Sequence, residues 1–173
     1  MNSPEFIDHS EFVKDLIEIK LDYFQDFRGR NWESYNREKY SVCPQFQGLD
    51  FFTHSNSIST QGVLRGGHCD TESWKLITVI GGSVQFIVAD VREDSPTYLG
   101  HKELFVNYLH QRQFLVPPKC PNFHLVLSKE ATFQYQLSHG YAPPEKQIHL
   151  HYKDPRFNFK WGILNPILSD RDK

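Results

Sequence analysis

Apolar and polar residues alternate in many short runs from residue 51 onward. The run over residues 83–91 alternates with a period of two at its start and end, which is typical of a half-buried strand. Pairs such as Gly81-Gly82 and Pro117-Pro118 separate the runs and predict turns. The pattern predicts strands over residues 63–66, 75–80, 84–91, 114–116, 123–127, 132–137, 147–152 and 157–161. Many short strands at this spacing predict an all-β sandwich or barrel.

The first fifty residues carry weaker signals. Residues 12–21 mix apolar and charged side chains and predict a helical turn that leads into a strand over 17–21. Residues 26–29 resemble a charged loop, and residues 33–40 have the spacing of a short helix. No internal repeat, low-complexity tract or linker divides the sequence. We therefore predict one domain over residues 1–173, all-β with a few short helices.

Composition narrows the class of protein. Hydrophobic residues make up 39% of the chain and aromatic residues 14%, which indicates an ordered globular protein. The net charge of -2 gives no general attraction to nucleic acid or to a membrane. Three cysteines without a Cys-x-x-Cys pair argue against a disulfide framework. No apolar run reaches the roughly 18 residues that span a bilayer, so we expect a soluble, cytoplasmic protein.

The clearest motif begins at Gly62 and contains His68, Asp70, Lys75 and Gly82. Its spacing is that of the first cupin motif, which normally supplies metal ligands inside a small β-barrel. Here an acid replaces the second histidine and a lysine replaces the carboxylate. In the second cupin-like segment, after Pro117-Pro118, Asn122 stands where a histidine ligand is usual. A divalent ion needs several deprotonated ligands, so we predict a site without metal.

Motifs in this order resemble the family of dTDP-4-dehydrorhamnose 3,5-epimerases and related enzymes that act on nucleotide-linked 4-keto sugars. The resemblance covers about residues 24–172. It rests on the matching segments 24–29, 33–36, 62–68, 75–76, 90–98, 133–135, 154–161 and 168–172. It implies a cupin-type β-barrel, a jelly roll of two antiparallel sheets, that needs no cofactor and forms a homodimer through its sheets and shared N-terminal strands.

The resemblance also implies four catalytic roles. In the family's reaction, the 4-keto group acidifies the neighbouring C–H bonds, and inversion proceeds through an enolate. His68 would be the base, with Asp154 as the carboxylate that orients it. Tyr135 would protonate the opposite face, and Lys75 would stabilise the enolate oxygen. The residues alone favour the plainer interpretation, in which Tyr135 is a core or rim tyrosine, Asp154 is a turn former before Pro155, and Lys75 is a solvated lysine.

Substrate contacts implied by the resemblance centre on Arg28 and Arg65, whose guanidinium groups suit a pyrophosphate. Without the resemblance, both could be ordinary loop arginines. The full predicted set of substrate-binding residues is Arg28, Glu33, Arg65, Thr53, Ser55, Asn122 and His124.

Several positions depart from the thymidine-linked members of the family. Thr53 and Ser55 replace a glutamine and an asparagine, Gly67 replaces a leucine, and Asn122-Phe123 replaces His-Gly before His124. These departures resemble a branch that acts on GDP-linked 4-keto heptoses in capsule pathways. We therefore predict inversion at C3, or at C3 and C5, of a GDP-4-keto-heptose. The alternative substrate is a dTDP-4-keto-6-deoxyhexose.

Two further alternatives stay open at this stage. A 3,4-ketoisomerase uses a histidine in the same barrel, but its usual second, adjacent histidine is absent here. A barrel that binds a sugar nucleotide without turnover would keep the same pocket without its chemistry. The motifs do not indicate whether one or both carbons are inverted, because that depends on the placement of Tyr135.

Overall fold

A computed structural model describes all residues from Met1 to Lys173. Its thirteen strands are β1 (Glu5–Asp8), β2 (Ile17–Lys20), β3 (Tyr23–Asp26), β4 (Gly29–Trp32), β5 (Thr53–Thr60), β6 (Leu64–Cys69), β7 (Lys75–Gly81), β8 (Ser83–Ala89), β9 (His101–Asn107), β10 (Arg112–Val116), β11 (Asn122–Val126), β12 (Glu130–Leu137) and β13 (Ile148–His149). One α-helix, α1, covers Arg37–Tyr40, and three short 3₁₀ helices cover Pro44–Phe46, Tyr108–His110 and Pro144–Lys146. None of these helices has the length and apolar character needed to cross a membrane.

Two antiparallel sheets form the body of the protein, which confirms the predicted all-β jelly roll. The larger sheet has the strand order β1-β2-β10-β7-β12-β5, and the smaller has the order β13-β6-β11-β8-β9. A buried apolar cluster joins the facing sides of the sheets: Phe114 and Phe133 come from the larger sheet, and Phe86 and Val126 from the smaller. Burial of this apolar surface holds the two layers together.

Most of the predicted strands are present, with ends that differ by a few residues. The prediction over residues 157–161 was wrong, because this segment is irregular and Asn158 adopts a left-handed backbone with φ of 49°. Its aromatic side chains still pack on the smaller sheet, and the Trp161 indole donates to the Tyr152 carbonyl at 2.7 Å. The strand predicted over 147–152 shortens to the two residues of β13.

Strands β1, β3, β4, β5 and β9 were not predicted. β5 consists mostly of hydroxyl and amide side chains, so it shows no apolar alternation. It forms because its backbone pairs with the whole length of β12, from Thr53 opposite Leu137 to Thr60 opposite Glu130. The helix predicted over 33–40 shrinks to α1, which begins where the Asn36 side chain accepts a hydrogen bond from the Lys39 backbone.

A bulge in β6 shapes the open end of the barrel. Asn122 pairs with His68 and Phe123 pairs with Gly66, so Gly67 is an extra residue on β6. Gly67 has φ of +76°, and a Cβ there would lie 2.1 Å from the Leu150 carbonyl oxygen. Only glycine fits this position, because the chain entering and leaving β13 passes directly beside it.

Candidate active site

A cavity of about 300 Å³ opens at the end of the barrel where β6, β7, β11 and β12 meet. The structure brings six of the predicted site residues to its wall: Ser55, Arg65, His68, Lys75, Asn122 and Tyr135. Other lining residues were not among the predicted site residues, and they include Tyr141, Gln147, Arg171 and Asp172. The cavity is therefore polar and carries several groups that can donate or accept protons.

A histidine–carboxylate pair stands at the centre of the wall. His68 Nε2 lies 2.7 Å from Oδ1 of Asp172, and the Ser169 hydroxyl donates to the other oxygen of that carboxylate at 2.8 Å. No protein group hydrogen bonds to His68 Nδ1, which is buried. With the Nε2 proton donated to Asp172, Nδ1 carries a lone pair that can accept a proton. Burial lowers the pKa of His68 below its usual value, and the Asp172 hydrogen bond partly opposes this effect.

The pairing of His68 with Asp154 that the sequence analysis expected is wrong. The Asp154 carboxylate accepts from Arg156 Nε at 3.0 Å and from Arg156 Nη2 at 2.8 Å, and it does not line the cavity. It acts as a turn residue, since the Arg156 backbone also donates to it. The segment 168–172 carried the true partner, and the sequence offered only the presence of an acid in a matching motif as a signal.

The chain reaches Asp172 by passing beside the start of β6 in the same direction as that strand. Ile167 pairs with Val63, its backbone N–H donates to the Gly62 carbonyl at 2.8 Å, and its carbonyl accepts from Leu64 at 3.0 Å. These bonds fix the last turn of the chain beside the residue that begins the motif.

Lys75 is buried rather than solvated. Its ammonium donates to the His68 carbonyl oxygen at 2.7 Å and to Asn122 Oδ1 at 3.0 Å. Burial lowers the pKa of Lys75, while neighbouring groups including Cys69 and Asp70 oppose that shift. Lys75 and Asn122 stand at two cupin ligand positions, so these positions bond to each other. The arrangement leaves a donor at the cavity wall.

Tyr135 approaches the cavity from the larger sheet, where β12 lies between β7 and β5. Burial raises the pKa of Tyr135 to about 12, and the neighbouring Asn122 and Arg65 act in the opposite direction. The phenol therefore keeps its proton at neutral pH. Because His68 belongs to the smaller sheet, the two side chains reach the cavity from different layers of the barrel.

Two guanidinium groups add positive charge to the cavity. Arg65 is exposed and donates from Nε to the Ser59 hydroxyl at 2.8 Å. Arg171 donates to Gln147 Oε1 at 2.7 Å and lies 3.5 Å from the Tyr141 hydroxyl. Guanidinium groups at the edge of a polar cavity suit an anionic ligand such as a diphosphate.

Four predicted substrate-binding residues lie outside the cavity of this chain: Arg28, Glu33, Thr53 and His124. Arg28 sits on the exposed β3–β4 hairpin and donates to Asp26, two residues away, at 3.0 Å. Glu33 accepts from Lys39 at 2.8 Å and from Asn36 at 3.1 Å. Thr53 lies at the end of β5, opposite Leu137.

His124 is a core residue in this structure. Its ring stacks on Phe133 with centroids 3.9 Å apart, and neither ring nitrogen has a hydrogen-bond partner in the protein. Burial and then the nearby Arg65 charge lower the pKa of His124 to about 3. The imidazole is therefore neutral, and it packs as an aromatic ring.

The sequence predicts only a surface or packing role for His149, whose exposed ring stacks on His68 with centroids 4.8 Å apart. No motif surrounds His149 in the sequence, and the contact arises only because β13 pairs with β6.

Comparisons with known proteins identify relatives that match nearly the whole chain. The family model described as dTDP-4-dehydrorhamnose 3,5-epimerase matches residues 11–173. A dTDP-4-dehydrorhamnose 3,5-epimerase of Shigella flexneri is 30% identical over 163 residues, covering 92% of this chain and 89% of the relative.

Solved structures of epimerases are also similar to this chain. A dTDP-6-deoxy-D-glucose-3,5-epimerase of Legionella pneumophila, in complex with dTDP-4-keto-L-rhamnose, superimposes with a TM-score of 0.89 at 28% identity. That match covers 98% of this chain and 89% of the other. A double mutant of a 3'-monoepimerase from Streptomyces bikiniensis, in complex with dTDP, gives a TM-score of 0.81 at 27% identity, covering 91% and 80%.

Proposed function

This chain belongs to the dTDP-4-dehydrorhamnose 3,5-epimerase family, and we propose that it inverts C3 and C5 of a dTDP-linked 4-keto-6-deoxyhexose. It is a sugar-nucleotide epimerase that works without a cofactor. The relatives named above act on or bind dTDP and dTDP-linked sugars, which favours the alternative substrate of the sequence analysis over the GDP-linked heptose and its capsule pathway. The substitution at Thr53 has no bearing on this choice, since Thr53 does not line the cavity.

The observation that carries the proposal is the convergence of four groups on one cavity: the His68–Asp172 pair, the Tyr135 phenol and the Lys75 ammonium. Proton abstraction beside a ketone needs a neutral base, an acid on the other face and a cation near the oxygen. An imidazole bonded to a carboxylate supplies the base. A protonated phenol from the facing sheet supplies the acid.

Each inversion then runs in two proton transfers. The His68 imidazole takes the proton from the carbon beside the ketone, the C–H electrons form a C=C bond, and the carbonyl oxygen becomes an enolate. Lys75 stabilises that oxygen as its negative charge develops. Tyr135 donates its proton to the opposite face of the carbon and the ketone re-forms. The imidazolium returns its proton to solvent, and the phenolate recovers one from solvent.

Asp172 has a supporting role in this scheme. It holds the His68 ring through Nε2, so that Nδ1 is the nitrogen without a proton, and it stabilises the imidazolium that forms. Arg65 and Arg171 would bind the diphosphate, because both guanidinium groups lie at the cavity.

We also propose that the protein acts as a homodimer in which Arg28 reaches the partner's cavity. In a single chain Arg28 is 73% exposed and Phe27 beside it is 98% exposed, which is unusual for a phenylalanine. β5 is one of the two edge strands of the larger sheet and has unpaired backbone groups along one side. Light scattering should give twice the mass of the chain, and Arg28→Ala should raise KM for the sugar nucleotide more than it lowers kcat.

Deuterium wash-in tests the substrate and the chemistry together. The purified protein is incubated in heavy water with dTDP- and GDP-linked 4-keto sugars, and proton loss at each carbon is followed by NMR. We expect exchange at C3 and C5 of the dTDP-linked sugar, and none when His68→Asn replaces the wild type. Exchange of the GDP-linked sugar alone would contradict the proposed substrate. Migration of the carbonyl would indicate a ketoisomerase, and binding without any exchange a non-catalytic barrel.

A further inference from the structure

Three potential metal ligands meet at the edge of the cavity, from three separate parts of the chain. His68 lies on β6, His149 on β13, and Asp172 follows the segment that runs beside β6. One donor atom from each of them lies within 4.8 Å of the others. His149 has no part in the proton transfers proposed above, and its exposed ring gives the cluster access to solvent.

The fold holds His149 against His68. The two residues are direct partners in the pairing of β13 with β6, and their rings stack at an angle of 18°. Gly67 makes this approach possible, since the Leu150 backbone donates to the Gly67 carbonyl at 2.7 Å where any side chain would collide. The pairing of the strands therefore holds the backbones of His68 and His149 side by side.

The cluster is distinct from the cupin metal position considered in the sequence analysis. In the smaller sheet, β6 lies between β13 and β11. Lys75 and Asn122 bond to each other on the β11 side of His68, whereas His149 lies on the β13 side. Counting only the cupin positions leaves His68 as a single ligand, but the β13 side adds a second imidazole and a carboxylate.

Two imidazole nitrogens and one carboxylate oxygen form a donor set that suits Zn²⁺ and neighbouring transition ions. Tetrahedral Zn²⁺ with bonds of about 2.1 Å separates its ligand atoms by roughly 3.4 Å. The ion would replace the proton between His68 Nε2 and Asp172, whose atoms would part from 2.7 Å by a small side-chain rotation. His149 is free to rotate toward them, and water can complete the coordination.

We propose that His68, His149 and Asp172 bind one Zn²⁺ ion reversibly, and that the bound ion inhibits the epimerase. Inhibition follows because coordination ties up the imidazole and its carboxylate partner together. This consequence rests on the proposed function, but the binding of the ion does not.

Nearby positive charge weakens the binding of the ion. The ion therefore exchanges with solvent and is not a permanent part of the protein. The Arg171 guanidinium lies close enough to His68 to help lower the pKa of its imidazole, and the Lys75 ammonium donates to the His68 carbonyl. Both cations repel a divalent ion. Mg²⁺ should not compete, because it prefers oxygen ligands and octahedral geometry.

Calorimetric titration of the metal-free protein with Zn²⁺ alone tests the binding, with no substrate present. We expect one ion per chain and an affinity at least about 10- to 100-fold lower for His149→Ala, because losing a direct ligand should cost no less than losing a group that only supports a ligand. The matched control is His139→Ala, which removes another exposed histidine that bonds only to its neighbour Ser138. Co²⁺ in place of Zn²⁺ should give the visible spectrum of a four-coordinate site in the wild type and lose it in His149→Ala.

Activity is then measured by the same deuterium exchange, with and without Zn²⁺. The wild type and His139→Ala should lose exchange as Zn²⁺ is added and regain it with a chelator, while His149→Ala should stay active at the same concentrations. Equal Zn²⁺ affinity in wild type and His149→Ala, or no binding in either, would overturn the site. Binding that depends on His149 in a protein that shows no exchange without Zn²⁺ would instead count against the proposed function and leave the site standing.

Discussion

His68 Nε2 lies 2.7 Å from Asp172 Oδ1, although 104 residues separate them in the sequence. The carboxylate is itself held by Ser169, so the ring is fixed from behind while Nδ1 stays without a protein partner. This pair determines which nitrogen is the base, and every step of the proposed reaction depends on it.

Asp172→Asn should lower the rate of deuterium exchange on the order of 10²- to 10⁴-fold, the usual contribution of a positioned acid or base. The amide keeps the shape of the side chain but cannot stabilise an imidazolium, and it can turn its N–H groups toward the ring. Asp154→Asn is the matched control, because Asp154 bonds to Arg156 away from the cavity. If the Asp154 variant is the slower of the two, the assignment of the pair is wrong.

Tyr135→Phe should separate proton loss from inversion. The variant keeps His68 and should still exchange a proton with solvent on the face where the proton leaves, but it should form little inverted product. NMR on the recovered sugar distinguishes deuterium in the starting configuration from deuterium in the product. Full inversion by the variant would show that another group delivers the proton.

Lys75→Met should lower kcat by roughly 10²- to 10³-fold, the scale for removing one group that stabilises an oxyanion. Methionine fills the space of the buried stem but leaves the His68 carbonyl and Asn122 without their donor. Circular dichroism and thermal unfolding must therefore be measured alongside the rates. A folded variant with near wild-type kcat would remove Lys75 from the mechanism.

Much of the fold and part of the site could be predicted from the sequence. The physical reason differs from one element to the next. The strand over 75–80 was visible because its side chains are apolar and β-branched, and it is buried as β7. β5 could not be predicted, because its residues are polar and it forms a strand through backbone pairing with β12. His68, Lys75 and Tyr135 fell in recognisable motifs, and the strands that carry them belong to the two facing sheets that both reach the cavity.

Asp172 and His149 could not be chosen in the same way. Asp154 and Asp172 are both acids in matching motifs, and only the path of the chain past Ile167 decides between them. The strand predicted over residues 147–152 contains His149, but the local pattern does not show that this strand pairs with β6 beside His68. Both depend on contacts between distant segments, which carry no local signal.

Gly67→Ala should lower the free energy of unfolding by about 2 kcal/mol, because a non-glycine residue is strained at positive φ and its Cβ would collide with the Leu150 carbonyl. The variant should also displace β13 and the His149 ring. Gly140→Ala is the control, since a Cβ there would contact nothing within 4 Å. Urea denaturation measures both; equal stability of the two variants would mean that the bulge relaxes easily.

The buried Asp90 carboxylate makes the stability of the fold depend on pH in the acid range. The carboxylate is fully buried between Arg92, Ser95 and Thr97, which all donate to it at 2.6 to 3.0 Å. Burial disfavours the charged form, but these hydrogen bonds outweigh it and lower the pKa of Asp90 from 3.8 to about 2. A pKa below the unfolded value means that the folded state prefers the carboxylate, so the stabilisation is present above pH 3.8 and lost as the pH falls through 2.

The shift corresponds to about 2 kcal/mol. Asp90→Asn should therefore be less stable than the wild type by at least that order at neutral pH, and the difference should narrow as the pH falls from about 4 to about 2. Urea unfolding across this range measures it. Asp170→Asn is the control, because its carboxylate is 98% exposed and should leave the unfolding curve unchanged. A constant difference between Asp90→Asn and wild type at every pH would show that shape and hydrogen bonding at this position matter, and the charge does not.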